Sequence, residues 1–299
     1  MAHSMKHILL GIALVFILIE FWHSQKENKD LFKAKETKNN LVIGAGALLG
    51  SFISKLAVLG IFELIYHFRF FSIGQNFGVW LLAILCSDFC YYWHHRSSHK
   101  VNWFWASHAV HHSSTDYNLS TAFRLPWTGQ LTGNFLFWLW MPVIGFDPLI
   151  VMLSYDVCLF YQFGLHTETV KKLPGLFELV FNTPSHHRVH HSSDLKYLDK
   201  NHGGILIIWD RLFKTFQAEE EHPNYGLTKK LETTNPVIIS FGEWIRLYKR
   251  IKATGSFKLI LKYIFQPPGW SHDGSSKTVK QLRETDPGSD GFQLSAGQG

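Results

Sequence analysis

The chain has 299 residues, of which 46% are hydrophobic, 15% aromatic and only 17% charged, with a formal net charge of +6. So little charge is unusual for a water-soluble enzyme and points to a surface partly solvated by lipid. The Lys and Arg residues are scattered over loops and helix ends, which excludes a nucleic-acid stripe and makes anionic headgroups the expected basic-surface partner. Cys86, Cys90 and Cys158 lie in apolar stretches without a CxxC pair, so a disulfide framework and a zinc ribbon are both excluded.

Along the chain, residues 8–22 form a first apolar run behind Lys6; no small-residue cleavage site follows Glu20, so it reads as a retained membrane helix. A Lys-rich polar segment, 28–40, precedes a second apolar run, 41–68, in which Lys55 and Glu63 are expected to face protein or the interface. A third spans 77–93. Residues 131–144 and 148–165 make a fourth and fifth, broken by Gly145, Asp147 and Pro148, a helix stop followed by a restart. Such a hairpin, spanning or re-entrant, returns the chain to the face it left. The histidine-bearing segments and the 28–40 loop then share one face, which the positive-inside rule makes cytoplasmic, since the opposite loop, 67–76, carries only Arg69 among Lys and Arg.

From Glu219 the chain turns polar, with an amphipathic stretch near 241–264 and a tail expected to be mobile after Pro267. The expected fold is an all-α integral membrane protein with four to five membrane helices, some possible as re-entrant segments, beneath a cytoplasmic helical cap. Its divisions are 1–76 (membrane helices), 77–218 (catalytic domain), 219–266 (interfacial region) and 267–299 (tail).

Eighteen histidines are present, and twelve fall between His94 and His202. Helix positions three and four apart share a face. His95 with His99, His108 with His111 and His112, and His187 with His190 and His191 are each expected to aim at one point; His166 completes nine candidate ligands. Nine imidazoles fit two metals better than one, and imidazole itself suits zinc, copper, iron and nickel alike. No HExxH segment of a zinc hydrolase occurs. His94, His186 and His202 are less secure, as orienting groups or packing, and Asp88, Asp116, Asp194, Asp199, Gln162 and Asn201 are candidates to orient ligating rings, with Glu168 nearby. His3, His7, His23, His67, His222 and His272 read as ordinary. The aromatic run 135–140, with Tyr91, Trp93, Trp103 and Trp105, reads as interface belt or core, or as the wall of an acyl-chain tunnel.

The segments from Asp88 through His95 to His99, from Trp105 through His108 to His112, and from Tyr117 to Thr121 resemble the fatty acid hydroxylase and sterol desaturase superfamily. So do Asn182 through His187 to His191, Lys200-Asn201 and Trp209 to Phe213. The 166–169 turn and the 182–187 run are similar to the alkylglycerol monooxygenase branch. The resemblance implies two irons held by the nine histidines and dioxygen used against a lipid C–H bond. In the ether-lipid branch it further implies attack beside an ether oxygen with electrons from tetrahydrobiopterin. Relatives hydroxylate or desaturate fatty acyl chains, sterols or carotenoids with electrons from cytochrome b5 or ferredoxin, and an external reductant or reductase is expected in every case. The membrane would be the inner membrane of a bacterium or the endoplasmic reticulum of a eukaryote. Departures from the pattern are Lys100, Gln162 where the ceramide hydroxylase branch has a histidine, His202 and Lys214. A membrane metal-binding or transport protein is the rival outside enzymology, expected to space its ligands along a transmembrane path.

Overall fold

The computed structural model describes residues 2–285, and among them the chain is helical, with two isolated bridges and no strand. The first two apolar runs fold as α1 (Ala2–Lys26) and α2 (Ala34–Tyr66). On α2 a narrow stripe is buried, including Ile43, Ala47, Val58 and Phe62, while Leu49 is 80% exposed and Ile53 74%. Leaving a large aliphatic side chain in water forgoes roughly 1.5–3 kcal/mol of burial, and a contiguous wall of them marks a surface meant for another phase. Among the described residues α2 is the one helix long and apolar enough to cross a membrane by length and composition.

Helix α3 (Phe77–Lys100) starts where the Asn76 side chain accepts the Val79 N–H at 3.0 Å. It runs from the apolar end of the molecule into the histidine region, and α4 (Asn102–His112) continues after a break at Val101. The expected fourth apolar segment is not one helix. Residues 130–138 wind mostly as short 3₁₀ turns, broken at Gly133, before α5 (Trp140–Ile144), and α6 (Pro148–Phe163) begins at an Asp147 cap with Pro148 in its first turn. The hairpin nevertheless does what its sequence implied. Phe70 and Phe71 donate their backbone N–H groups to Val143 and Ile144 at 2.9 and 3.1 Å, so its tip meets the 67–76 loop before α6 returns alongside α3. Val58 and Phe62 of α2, Ala83 and Tyr91 of α3, and Trp138, Met141 and Val151 form the core between these elements.

Short helices follow: α7 (Gly175–Val180), α8 (Pro184–His190) and α9 (Ile208–Leu212). The amphipathic region begins earlier than expected, as α10 (Pro236–Thr254), capped by Asn235, turns at Gly255 (φ 58°) and continues as α11 (Phe257–Phe265). Its apolar residues divide. Ile239, Leu247 and Tyr263 pack inward, whereas Val237, Ile245, Tyr248 and Phe257 face out.

The stretch after Pro267 is not loose from its start. The Tyr263 hydroxyl and His272 Nδ1 are 2.7 Å apart, and Arg283, on α12 (Val279–Thr285), donates to the carbonyls of Leu195 and Leu198 at 3.0 and 2.6 Å. Composition alone misses this because the segment is held by side-chain hydrogen bonds rather than by an apolar pattern. Residues 286–299 of the expected tail lie outside the described residues.

Gly145 is held at φ 130°, and a Cβ there would stand 2.1 Å from the Phe71 carbonyl oxygen. Gly145→Ala is expected to destabilise the fold by about 1–3 kcal/mol, read as a lowered unfolding midpoint in detergent.

Candidate metal centre

Four elements bring the histidines together: the last turns of α3, helix α4, the turn after α6, and α8 with its C-cap. Arg188 fixes the fourth against the third. Its buried guanidinium takes both oxygens of Glu219 at 2.6 Å and donates to the carbonyls of Thr167 and Val170, beside His166. That bidentate pair and the two carbonyls satisfy a cation that burial would otherwise penalise. Thr167 in turn donates to the buried Glu20 carboxylate of α1, which also accepts the Leu119 N–H at 2.7 Å.

All nine expected rings converge, but not block by block. His95, His99, His108, His112 and His190 form one group, and His111, His166, His187 and His191 another, with one nitrogen from each ring within 4.8 Å of the others in its group. The i, i+4 pairs His95/His99, His108/His112 and His187/His191 stay together. His111 and His190, three residues on from His108 and His187, cross to the other group. On a helix, neighbours such as His111 and His112 diverge by about 100°, so adjacent histidines serve separate centres. The two groups abut, with the His112 and His191 rings stacked at 4.5 Å.

Hydrogen bonding sets the tautomers. A carbonyl can only accept, so His95 donates through Nδ1 to His202 (2.9 Å), His166 to Gln162 (2.8 Å) and His190 to Lys200 (2.9 Å). Each then presents a bare Nε2 lone pair. His166 Nε2 is 3.2 Å from both His111 Nε2 and His187 Nε2, and the Nδ1 atoms of His111 and His187 are buried without a partner. The Nε2 atoms of His99, His190 and His191 are likewise buried and unpartnered. Buried lone pairs that converge call for a shared cation, so this donor set fits two metal ions, and an all-imidazole set accepts iron.

Burial, reinforced by neighbouring imidazoles, pushes His108, His112, His187 and His191 well below the ordinary value, and lowers His166 to about 4 and His111 to about 3. The rings are thereby kept neutral, as ligands must be.

The other named residues serve the frame. His202 lies against the first group, its ring 5.1 Å from His99 and its Nδ1 buried without a partner. His186 pairs with Glu178 at 2.9 Å, and His94 packs among Phe104, Phe137 and Trp138. Asp88 is not beside a ligand: it accepts from the Ile205 and Leu206 N–H groups and the Trp209 indole, fixing the loop after His202. Asp116 binds Lys33, Asp194 closes a turn with Ser192 and Asn224, and Asn201 donates to the His186 carbonyl. Asp199 pairs with Lys100 at 2.6 Å and stands 3.7 Å from His99 Nδ1. Gln162 acts through its backbone carbonyl, and Glu168 bonds the Tyr225 hydroxyl. Glu20, Glu178, Arg188 and Asp210, which accepts from the N–H groups of His202 and Gly203, had not been singled out. For Glu20 a signal existed, a carboxylate within an apolar helix.

Fold and site together define a helical protein with a lipid-type surface and paired, buried histidine clusters. The segment 80–215, which holds all nine converging rings, matches the fatty acid hydroxylase family. The chain is 43% identical over 206 residues to human alkylglycerol monooxygenase, covering 68% of this chain and 45% of that protein. It is 43% identical over 194 residues to the Danio rerio alkylglycerol monooxygenase, covering 64% and 42%. An ornithine lipid hydroxylase of Rhizobium tropici is 31% identical over 213 residues, covering 65% and 59%. The chain thus spans less than half the length of the alkylglycerol monooxygenases it matches. No solved structure matches it.

Because the rings are held neutral, the unfolded chain takes up protons near pH 6.5 while the folded one resists until about pH 3–4. Stability present above pH 6.5 is therefore lost as pH falls through that window. The unfolding midpoint of metal-free protein is expected to drop between pH 7.5 and 5, and His166→Ala to flatten that dependence.

Proposed function

We propose that the chain is a membrane-bound, dioxygen-dependent di-iron oxygenase that hydroxylates a lipid C–H bond, with an ether-linked alkylglycerol as the leading substrate. The observation that carries this reading is the convergence of nine neutral imidazoles into two abutting groups within the fatty acid hydroxylase segment. Similarity to alkylglycerol monooxygenases and to an ornithine lipid hydroxylase supports the lipid class. We propose 77–218 as the catalytic domain, and the lysine-rich 28–40 loop favours a cytoplasmic histidine face.

Iron bound there would supply the redox chemistry by which dioxygen attacks an unactivated carbon. The balance is one oxygen atom into the C–H bond and one into water, with two electrons and two protons from an external donor. Tetrahydrobiopterin, cytochrome b5 and ferredoxin are the donors to compare. The chain's own contribution is positional. His95, His166 and His190 are locked by backbone carbonyls, so their Nε2 lone pairs need no reorientation. Hydroxylation beside an ether oxygen gives a hemiacetal, which collapses to an aldehyde and glycerol.

Iron content and product are measured on the same detergent-purified sample offered alkylglycerol, fatty acyl and sterol substrates. Two irons per chain and aldehyde from alkylglycerol are expected. His190→Ala and His187→Ala, one in each group, should each lose iron and at least about 100-fold in turnover while still inserting into membranes. Full turnover by either variant, or a folded wild-type protein that takes up no iron, overturns the reading.

A further inference from the structure

A cavity of about 680 Å³ opens onto the first histidine group, where His99, His112 and His190 form part of its wall. Its size is that of a small-molecule site, commonly around 300–1,000 Å³. Much of the remaining wall comes from outside the 80–215 segment: the 226–229 loop, one face of α10, and residues 266–284. Trp105, Leu198 and Leu247 add apolar surface.

Charge on the walls is unequal. Lys100, Lys229, Arg246, Arg250, Lys277 and Lys280 stand against Asp199, Glu243 and Glu284. Asp199 holds Lys100, Glu243 holds Arg246, and Glu284 lies 3.9 Å from Lys280. That accounts for all three carboxylates. Arg250 bonds only neutral acceptors, Ser276 Oγ at 3.3 Å and the Trp270 carbonyl at 3.5 Å. Among the described residues no carboxylate lies within 4.0 Å of Lys229, Arg250 or Lys277. Three cations around one cavity, without a carboxylate partner among the described residues, match the charge of a phosphate, and one of them is a guanidinium able to take two of its oxygens. Helix α10 turns Arg246 and Arg250 to the cavity while presenting Val237, Ile238, Ile245 and Tyr248 outward, the division of a helix lying at a lipid surface.

We propose that this cavity binds a phosphate-bearing ligand beside the first histidine group, with Lys229, Arg250 and Lys277 taking the phosphate. As the headgroup of a substrate lipid, that phosphate deepens the hydroxylase reading and rests on it; as a free soluble compound it would not.

The test is binding to the full-length, metal-free protein in uncharged detergent, read by tryptophan fluorescence, since Trp105 and Trp270 line the cavity. The probes are an alkylglycerol phosphate, the same alkylglycerol without phosphate, and inorganic phosphate. The phosphorylated lipid should bind at least about tenfold more tightly than the neutral one, and Lys229→Gln/Lys277→Gln should abolish that preference. Arg250→Lys, which keeps the charge and loses the fork, should show an intermediate preference and reports independently if the double variant folds poorly. Competition by millimolar inorganic phosphate assigns the site to phosphate as such, and its absence assigns it to the lipid headgroup; either supports the proposal. Equal affinity for the two lipids with no phosphate binding, or an undiminished preference in both variants, overturns it. Because no turnover is read, the result stands apart from whether the protein oxidises any lipid.

Discussion

Neutral imidazoles packed with their lone pairs inward are the constraint on which this structure turns. Each ring costs little to bury uncharged, but opposed Nε2 lone pairs repel unless a cation or a shared proton lies between them. The surrounding backbone is shaped to that end. The carbonyls of Gln162, Lys200 and His202 each accept an Nδ1–H and thereby choose the tautomer that leaves Nε2 free. Asn201 and Asp199, both with φ near +60°, bend the chain that delivers two of those carbonyls. Such left-handed geometry at non-glycine residues is sparsely populated and survives where the surroundings over-determine it. Here the Asn201 side chain, bonded to His186, Gln217 and their neighbourhood, provides that support.

Carboxylates contribute one step further out. Asp88, Asp210, Glu178 and Glu219 each take two or more donors and tie the loops around α8 to α3 and to the 203–217 segment. Their side chains meet the ligand frame through backbone N–H groups, hydroxyls, an indole and a guanidinium, and none enters either histidine group. Both groups therefore keep an all-nitrogen donor set, although the Asp199 carboxylate stands 3.7 Å from His99 Nδ1.

The convergence of the nine rings was legible in the sequence because a residue type otherwise rare in apolar chains recurs there at helical spacing. Their partition was not. Whether His111 joins His108 or His166 depends on how α4 is rotated against the 164–168 turn, a tertiary fact with no local signature, and the same holds for His190. The framework carboxylates were misplaced for a related reason. Asp88 is seven residues from His95, two helical turns or about 10 Å along α3, so it reaches a different loop. Glu20, by contrast, could be suspected from its apolar surroundings, yet its partners Leu119 and Thr167 lie about 100 and 147 positions away. The hairpin at 130–163 was legible from Gly145, Asp147 and Pro148 as a reversal, while its first arm, expected as an apolar segment, folds as 3₁₀ turns around Gly133.

The histidine groups and the cavity beside them are built from different stretches of the chain. The rings come from 95–191, inside the family segment, whereas the cavity against the first group is completed by α10 and by residues up to 284, and Gln266 is joined to α4 by the Asn102 N–H at 3.1 Å. A centre whose rings are buried and include three locked by backbone carbonyls, His95, His166 and His190, tolerates little variation. A wall of exposed-rim lysines and arginines on surface elements is under no such restriction. Altering Lys229 or Lys277 therefore disturbs none of the carbonyls that aim the histidines.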